Sequence, residues 1–150
     1  MRIKSKVLSI VEKYGTNSPV EIAEKMDIEI VLPPLPSLSM LGLYTIVEGQ
    51  KIIVCNGFLA PESQKVILAH ELGHAILHGG MNMFFVRDNT LFPTGKFECQ
   101  ANTFAAELLI PDVLIHNYKG YTTSEIASIE NIHPKLFEYK KYKNYNDFIL

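Results

Sequence analysis

Residues 61–80 read PESQKVILAHELGHAILHGG, a stretch that opens with proline in a first helical turn, keeps helical spacing and ends in paired glycines. Gly79 and Gly80 are expected to terminate the helix. Inside it, His70 and His74 stand one turn apart on the same face, about 6 Å along the axis. Two neutral imidazole nitrogens so placed can reach one ion, and zinc accepts them at about 2.0–2.1 Å. Glu71 flanks the pair, where its carboxylate can take a proton from a metal-activated water. At about 100° per residue, Leu68, Leu72, Ala75 and Ile76 fall roughly opposite the histidines, which predicts a core face and a separate metal face. His78 continues the spacing, but it lies about 12 Å along an unbroken helix from His70, too far to share its ion. It reads as a C-terminal helix residue favoured by the dipole.

A catalytic zinc needs a third protein ligand and a fourth position open to water. Glu98 supplies the ligand from the next helical pattern, Phe97 to Ile110, which Pro111 closes. Asn102 lies one turn on, on the same face, where its side-chain oxygen can orient a ligand histidine from behind. Glu107 falls about half a turn round from Glu98 and does not face the metal. Cys99 points about 100° away from Glu98 and is expected in the core. Ala101, Ala105 and Ala106 let this helix approach a neighbour closely, as two helices sharing an ion must.

Upstream, MRIKSKVLSIVEKYG reads as an amphipathic helix, because Glu12 and Lys13 interrupt its apolar residues before a secretory segment is complete. Ser18-Pro19-Val20-Glu21 carries a cap, a first-turn proline and a glutamate placed to reach back, so a short helix starts at Pro19 and ends near Asp27. IEIVLPP follows as a strand stopped by prolines. LGLYTIV and KIIVCNG flank Glu48-Gly49-Gln50, which reads as a hairpin. The segment from Met81 to about Lys96 has no period and carries Met83, Phe84 and Phe85, the pattern of a loop folded over something. Downstream, Asp112 to Tyr118 forms a further turn or two, and Thr122 with Glu125 makes a second capping box that opens the last two short helices.

The chain has 150 residues, 47% of them hydrophobic, and a formal net charge of −2, which suits one domain with one packed core and no long-range attraction to polyanions. Cys55 and Cys99 lack the number and spacing of a disulfide framework and read as reduced cysteines of a cytoplasmic protein. No apolar run is long enough to cross a bilayer, so no membrane partner is expected.

AHELGHAILH at 69–78 followed by ECQANTFAAELLIP at 98–111 resembles the ImmA/IrrE family of zinc metallopeptidases, whose pattern couples these two helices in this order. The resemblance runs from about residue 15, and residues after about 120 match loosely. It implies metal ligands at His70, His74 and Glu98, Glu71 as the catalytic base, and one zinc ion per chain. It also implies a gluzincin-like α+β fold: a small mixed sheet with a hairpin, packed on the HExxH helix and a second ligand-bearing helix, with a helical C-terminal part. On this reading residues 1–150 are a single metallopeptidase domain, with a peptidase core at about 15–115 and accessory helices at 120–150. Substrate is expected to add as a strand along the sheet edge, for which Lys51 to Cys55 is the best candidate. The activity implied is a zinc-dependent endopeptidase acting through metal-activated water, with a helix-turn-helix repressor of a phage or mobile element as substrate. Tyr44, His116, Tyr118 and the C-terminal tyrosines are unranked candidates for a further oxyanion donor.

The competing class is a non-catalytic regulatory module, binding DNA or protein, with a vestigial or structural metal site. TTSEIASIENIHPKLFEYKKYK allows a helix-turn-helix, with Lys135, Lys140, Lys141 and Lys143 on phosphates. A lysine-rich final helix is usually a solvated face and the whole chain is slightly acidic, so direct nucleic-acid binding is not expected.

Overall fold

In the computed structural model, which describes residues 3–36, 40–79 and 95–140, the hairpin is formed by β2 (Gly42–Val47) and β3 (Gln50–Cys55). Glu48 and Gly49 both take positive φ, 50° and 82°, the two-residue turn whose twist matches that of paired strands. Gln50 therefore belongs to the strand, opposite Val47. β1 (Glu29–Val31) adds to the other side of β3 in parallel, giving the order β1-β3-β2 and a mixed three-stranded sheet. Lys51 to Cys55 is thus the central strand, contrary to the edge position expected for it. Its backbone groups are taken on both sides, and among the described strands the outer positions belong to β1 and β2.

Before the sheet come α1 (Ile3–Tyr14), which buries Val7 and Ile10, and α2 (Pro19–Lys25). Ser18 caps α2 by accepting from the Glu21 N–H, and the chain turns out of the helix at Asp27, with φ 57°. After the sheet, α3 (Pro61–Leu77) packs against β2 and β3, against α2, and against α4 (Lys96–Leu109). Every residue of α3 from Val66 to Ala75 is buried, so the face that carries the histidines is covered as fully as the face turned to the core. The face that carries the histidines is covered by α4. Ala101, Ala105 and Ala106 are fully buried, and a Cβ on Gly73 would stand only 3.1 Å from three atoms of Phe104. Small residues on both helices bring them close enough to seal the histidine face.

The rest of the chain is α5 (Asp112–Asn117), α6 (Thr123–Glu130) and α7 (Leu136–Tyr139). Thr122 and Glu125 form the reciprocal capping box at the start of α6. Ile126 and Ala127 of α6 and Leu136 and Phe137 of α7 join the apolar cluster that also holds Val7, Ile22, Ile53, Leu72 and Phe104. The expected loop with Met83, Phe84 and Phe85 lies outside the described residues, as do Lys141 and Lys143. No helix among the described residues is long and apolar enough to cross a membrane.

Candidate metal centre

Three side chains from two helices converge at one point. His70 and His74 project one turn apart from α3, and Glu98 projects from the first turn of α4. His70 Nε2 lies 2.9 Å from His74 Nε2 and 3.0 Å from Glu98 Oε2, while His74 Nε2 lies 3.3 Å from Glu98 Oε1. Donors arranged tetrahedrally around zinc at about 2.0–2.1 Å stand roughly 3.3 Å apart, close to this spacing. Burial sharpens the point: His70, His74 and Glu98 are 0%, 2% and 8% exposed. Polar groups withdrawn so far from water need partners, and two imidazoles with a carboxylate are a borderline and hard donor set that suits a zinc ion. Among the described residues these three form the group able to hold a metal.

Electrostatics agree with a carboxylate rather than a carboxylic acid at Glu98. Burial raises its pKa, but hydrogen bonds from His70 and His74 outweigh burial and hold the carboxyl well below the usual range. That is the direction a metal-binding carboxylate needs.

The nitrogens turned away from this point are also engaged. His70 Nδ1 lies 2.6 Å from Asn102 Oδ1, which is the orienting contact expected from the sequence. The same asparagine is hydrogen-bonded to the side chain of Tyr139 on α7. His74 Nδ1 lies 3.1 Å from His78 Nδ1, and His78 Nε2 lies 2.8 Å from Gln100 Oε1. His78 caps α3 through its N–H to the His74 carbonyl, but its ring is buried, and that burial pushes its pKa down despite the bond to Gln100. His78 does stand at the C-terminal end of α3, as the sequence suggested, but its ring is turned into the protein. Gly79 leaves the helix without a left-handed turn; a Cβ there would stand 2.3 Å from the Ala75 carbonyl oxygen.

Glu71 is 1% exposed and lies on the side of α3 nearest β2. Gly42 makes this proximity possible. A Cβ on Gly42 would stand 2.4 Å from Ile67 Cγ2, 2.9 Å from the Val54 carbonyl oxygen and 3.6 Å from Glu71 Oε1. Motif and spacing do not single out Gly42, although a glycine inside a strand pattern commonly marks a close backbone approach. Nor do they reveal His78, Gln100 and Tyr139 as contributors; only the four-residue spacing of His78 hints at its place.

Other candidates fall elsewhere. Cys99 is exposed rather than packed in the core, because the side of α4 on which it lies is not covered by α3. Cys55 is buried, and neither cysteine is in a disulfide among the described residues. Glu107 is buried against Lys140, away from the metal donors as expected. That pairing withdraws Lys140 from the set of lysines considered for phosphate contacts, since its side chain is 1% exposed. Tyr118 is bonded to Glu130 and His116 is exposed, whereas Tyr44 is buried on the face of β2 that it shares with Gly42.

A family model described as the IrrE N-terminal-like domain of peptidase M78 matches residues 23–132, a span that takes in both α3 and α4. The chain belongs to the ImmA/IrrE family of metallopeptidases. It is 34% identical over 148 residues, 97% of this chain and 93% of the relative, to the "Uncharacterized immunity region protein 2" of Bacillus phage phi105. It is 32% identical over 142 residues, 92% of this chain and 83% of the relative, to "Metallopeptidase ImmA" of Bacillus subtilis strain 168. As a member of this family the chain is a peptidase of the metal-dependent class. The family match ends before α7, so Tyr139 and Lys140 lie beyond it.

Proposed function

We propose that this ImmA/IrrE peptidase is a zinc-dependent endopeptidase of the host cytoplasm that cuts a helix-turn-helix repressor of a phage or mobile element. The observation that carries the reading is the convergence of His70 Nε2, His74 Nε2 and the Glu98 carboxylate on one buried point, with Glu71, itself buried, next to His70 in α3. His70, His74 and Glu98 hold one zinc ion, and Asn102 keeps His70 in the tautomer that leaves Nε2 free to bind. A centre with three protein ligands supplies acidification of a water and polarisation of the scissile carbonyl. Glu71 takes the proton of the attacking water on its carboxylate and returns it to the leaving amine. The near-complete burial of Glu71 supports this role, since a base screened from bulk water keeps the proton it has taken.

The substrate adds as an extended strand along the outer edge of β2 rather than along Lys51–Cys55, whose two sides are already paired. Two facts support β2: its outer edge is unpaired among the described strands, and Gly42 brings its start against Ile67 and Glu71 of α3. The chain acts as a single peptidase domain with its core at about 15–115, to which the helices of 120–150 are accessory. Support for a repressor as substrate comes from the likeness to a protein named for a phage immunity region.

The test is Glu71→Gln, purified with zinc and incubated with the helix-turn-helix repressor encoded beside the gene. The wild type should release two repressor fragments that mass spectrometry places at one bond. The variant should hold zinc equally and lose activity by about 10²–10⁴-fold. Undiminished cleavage by Glu71→Gln sinks the mechanism, and an intact repressor in the presence of active, zinc-loaded wild type sinks the choice of substrate.

A further inference from the structure

We propose that His78 and Gln100 are positioning residues of the metal centre: His78 Nδ1 accepts the Nδ1 proton of His74, and Gln100 Oε1 holds His78 in the tautomer able to do so. This rests on the reading that His74 binds metal through Nε2.

The distances and the chemistry of the imidazole ring fix the direction of the relay. A neutral imidazole carries one N–H and one lone pair. His74 Nε2 faces His70 Nε2 and Glu98 Oε1, at 2.9 and 3.3 Å. With that lone pair given to a metal, the His74 proton must sit on Nδ1, which lies 3.1 Å from His78 Nδ1. His78 Nδ1 must then offer a lone pair, so its own proton sits on Nε2, 2.8 Å from the acceptor oxygen of Gln100. Every nitrogen in the relay meets a complementary partner. Run the other way, the relay places a proton on His74 Nε2, where the metal belongs.

Burial and packing hold the relay in place. His78 is 6% exposed, and its ring meets the edge of Phe97 with centroids 4.9 Å apart. Gln100 lies two residues beyond Glu98 on α4, so one helix supplies both a metal ligand and the anchor of the relay. His70 has its counterpart in Asn102, also on α4. The two ligand histidines of α3 are thus each oriented by a side chain of the facing helix, His70 directly and His74 through His78. Outer partners of this kind typically change metal affinity by about 10–100-fold, because they fix tautomer and ring orientation and raise ligand basicity.

The experiment titrates zinc into the metal-free full chain against a chromophoric chelator, for wild type, His78→Phe, His78→Asn and Gln100→Leu, with thermal melting of each metal-free protein. His78→Phe keeps the ring that packs on Phe97 and removes the acceptor, so zinc binding should weaken by roughly 10–100-fold. His78→Asn places a carbonyl oxygen near the position of Nδ1 and should bind within about threefold of wild type, a rescue that packing alone does not provide. Gln100→Leu leaves the ring in place with its tautomer unheld and should fall between the two. It also serves as the deciding variant if the metal-free His78→Phe does not melt cooperatively. Wild-type affinity in both His78→Phe and Gln100→Leu overturns the relay alone, as does an equal loss in His78→Asn and His78→Phe. A wild type that takes up no zinc overturns the metal-site reading as well.

Discussion

His70 Nδ1 and Asn102 Oδ1 stand 2.6 Å apart in a contact that joins α3 to α4, and both residues are buried. Asn102→Leu removes the acceptor and leaves the His70 N–H without its partner. Zinc affinity should fall by roughly 10–100-fold, and the metal-free protein should lose about 1–3 kcal/mol. Chelator competition reads the first effect and urea unfolding the second. Asn102→Asp, which keeps an acceptor oxygen, should recover most of the affinity; equal loss in both variants contradicts the orienting role.

Gly42 is where β2 comes closest to α3. In Gly42→Ala the new methyl meets Ile67 Cγ2 at 2.4 Å and the Val54 carbonyl oxygen at 2.9 Å. The second contact is backbone and cannot rotate away. Overpacking of this kind costs about 1–3 kcal/mol, and it pushes the strand from the helix that carries Glu71. A lower urea midpoint together with a reduced cleavage rate is expected, with zinc content unchanged. An unaltered midpoint means that the strand relaxes freely.

Lys140 ends α7 and points inward. Its Nζ lies 2.9 Å from Asp112 Oδ1 and is also paired with Glu107, whose side chain is 2% exposed. Lys140→Met removes the buried ammonium paired with Glu107, and the expected loss is about 3–5 kcal/mol by urea unfolding. Adding Glu107→Leu removes the buried carboxylate that has lost this cation, so the double variant should be more stable than Lys140→Met. A single variant as stable as wild type shows that the pair contributes nothing.

Acid should weaken the same corner of the molecule. Burial raises the Asp112 carboxyl, but the bonds from Lys4 and Lys140 outweigh it and hold its pKa below the ordinary carboxylate value. A group depressed on folding contributes stability that is complete above the unfolded pKa of about 3.9 and is lost as pH falls through the folded value. Urea midpoints of the metal-free wild type and of Asp112→Asn should therefore differ near neutrality and converge under acid conditions. A gap that stays constant down the pH range removes Asp112 from the acid response.

Local chemistry makes much of this protein legible in its residues alone. Ser18 with Glu21 and Thr122 with Glu125 announce helix starts, since a cap is satisfied by residues three positions away. The hairpin lies around Glu48-Gly49 because only residues tolerant of positive φ make so tight a turn. His70 and His74 share a face by helix geometry alone. Those inferences need only neighbours along the chain.

Tertiary structure decided the rest. Which strand lies in the middle depends on β1 pairing with β3 across a gap in sequence, and no local pattern distinguishes that from an edge. Whether Cys99 is exposed and His78 buried depends on which sides of α3 and α4 face each other, and that follows from Gly73 meeting Phe104. The sequence alone determined the candidate donors on α3 and the kinds of helix and turn that present them, because these follow from residue spacing and backbone preference. The closeness of Glu98 to the histidines, the placing of Gly42 beside Glu71, and the contacts of Asn102 with His70 and of Gln100 with His78 arise only when distant segments pack. Such contacts are set by the shape and volume of side chains far apart in the chain.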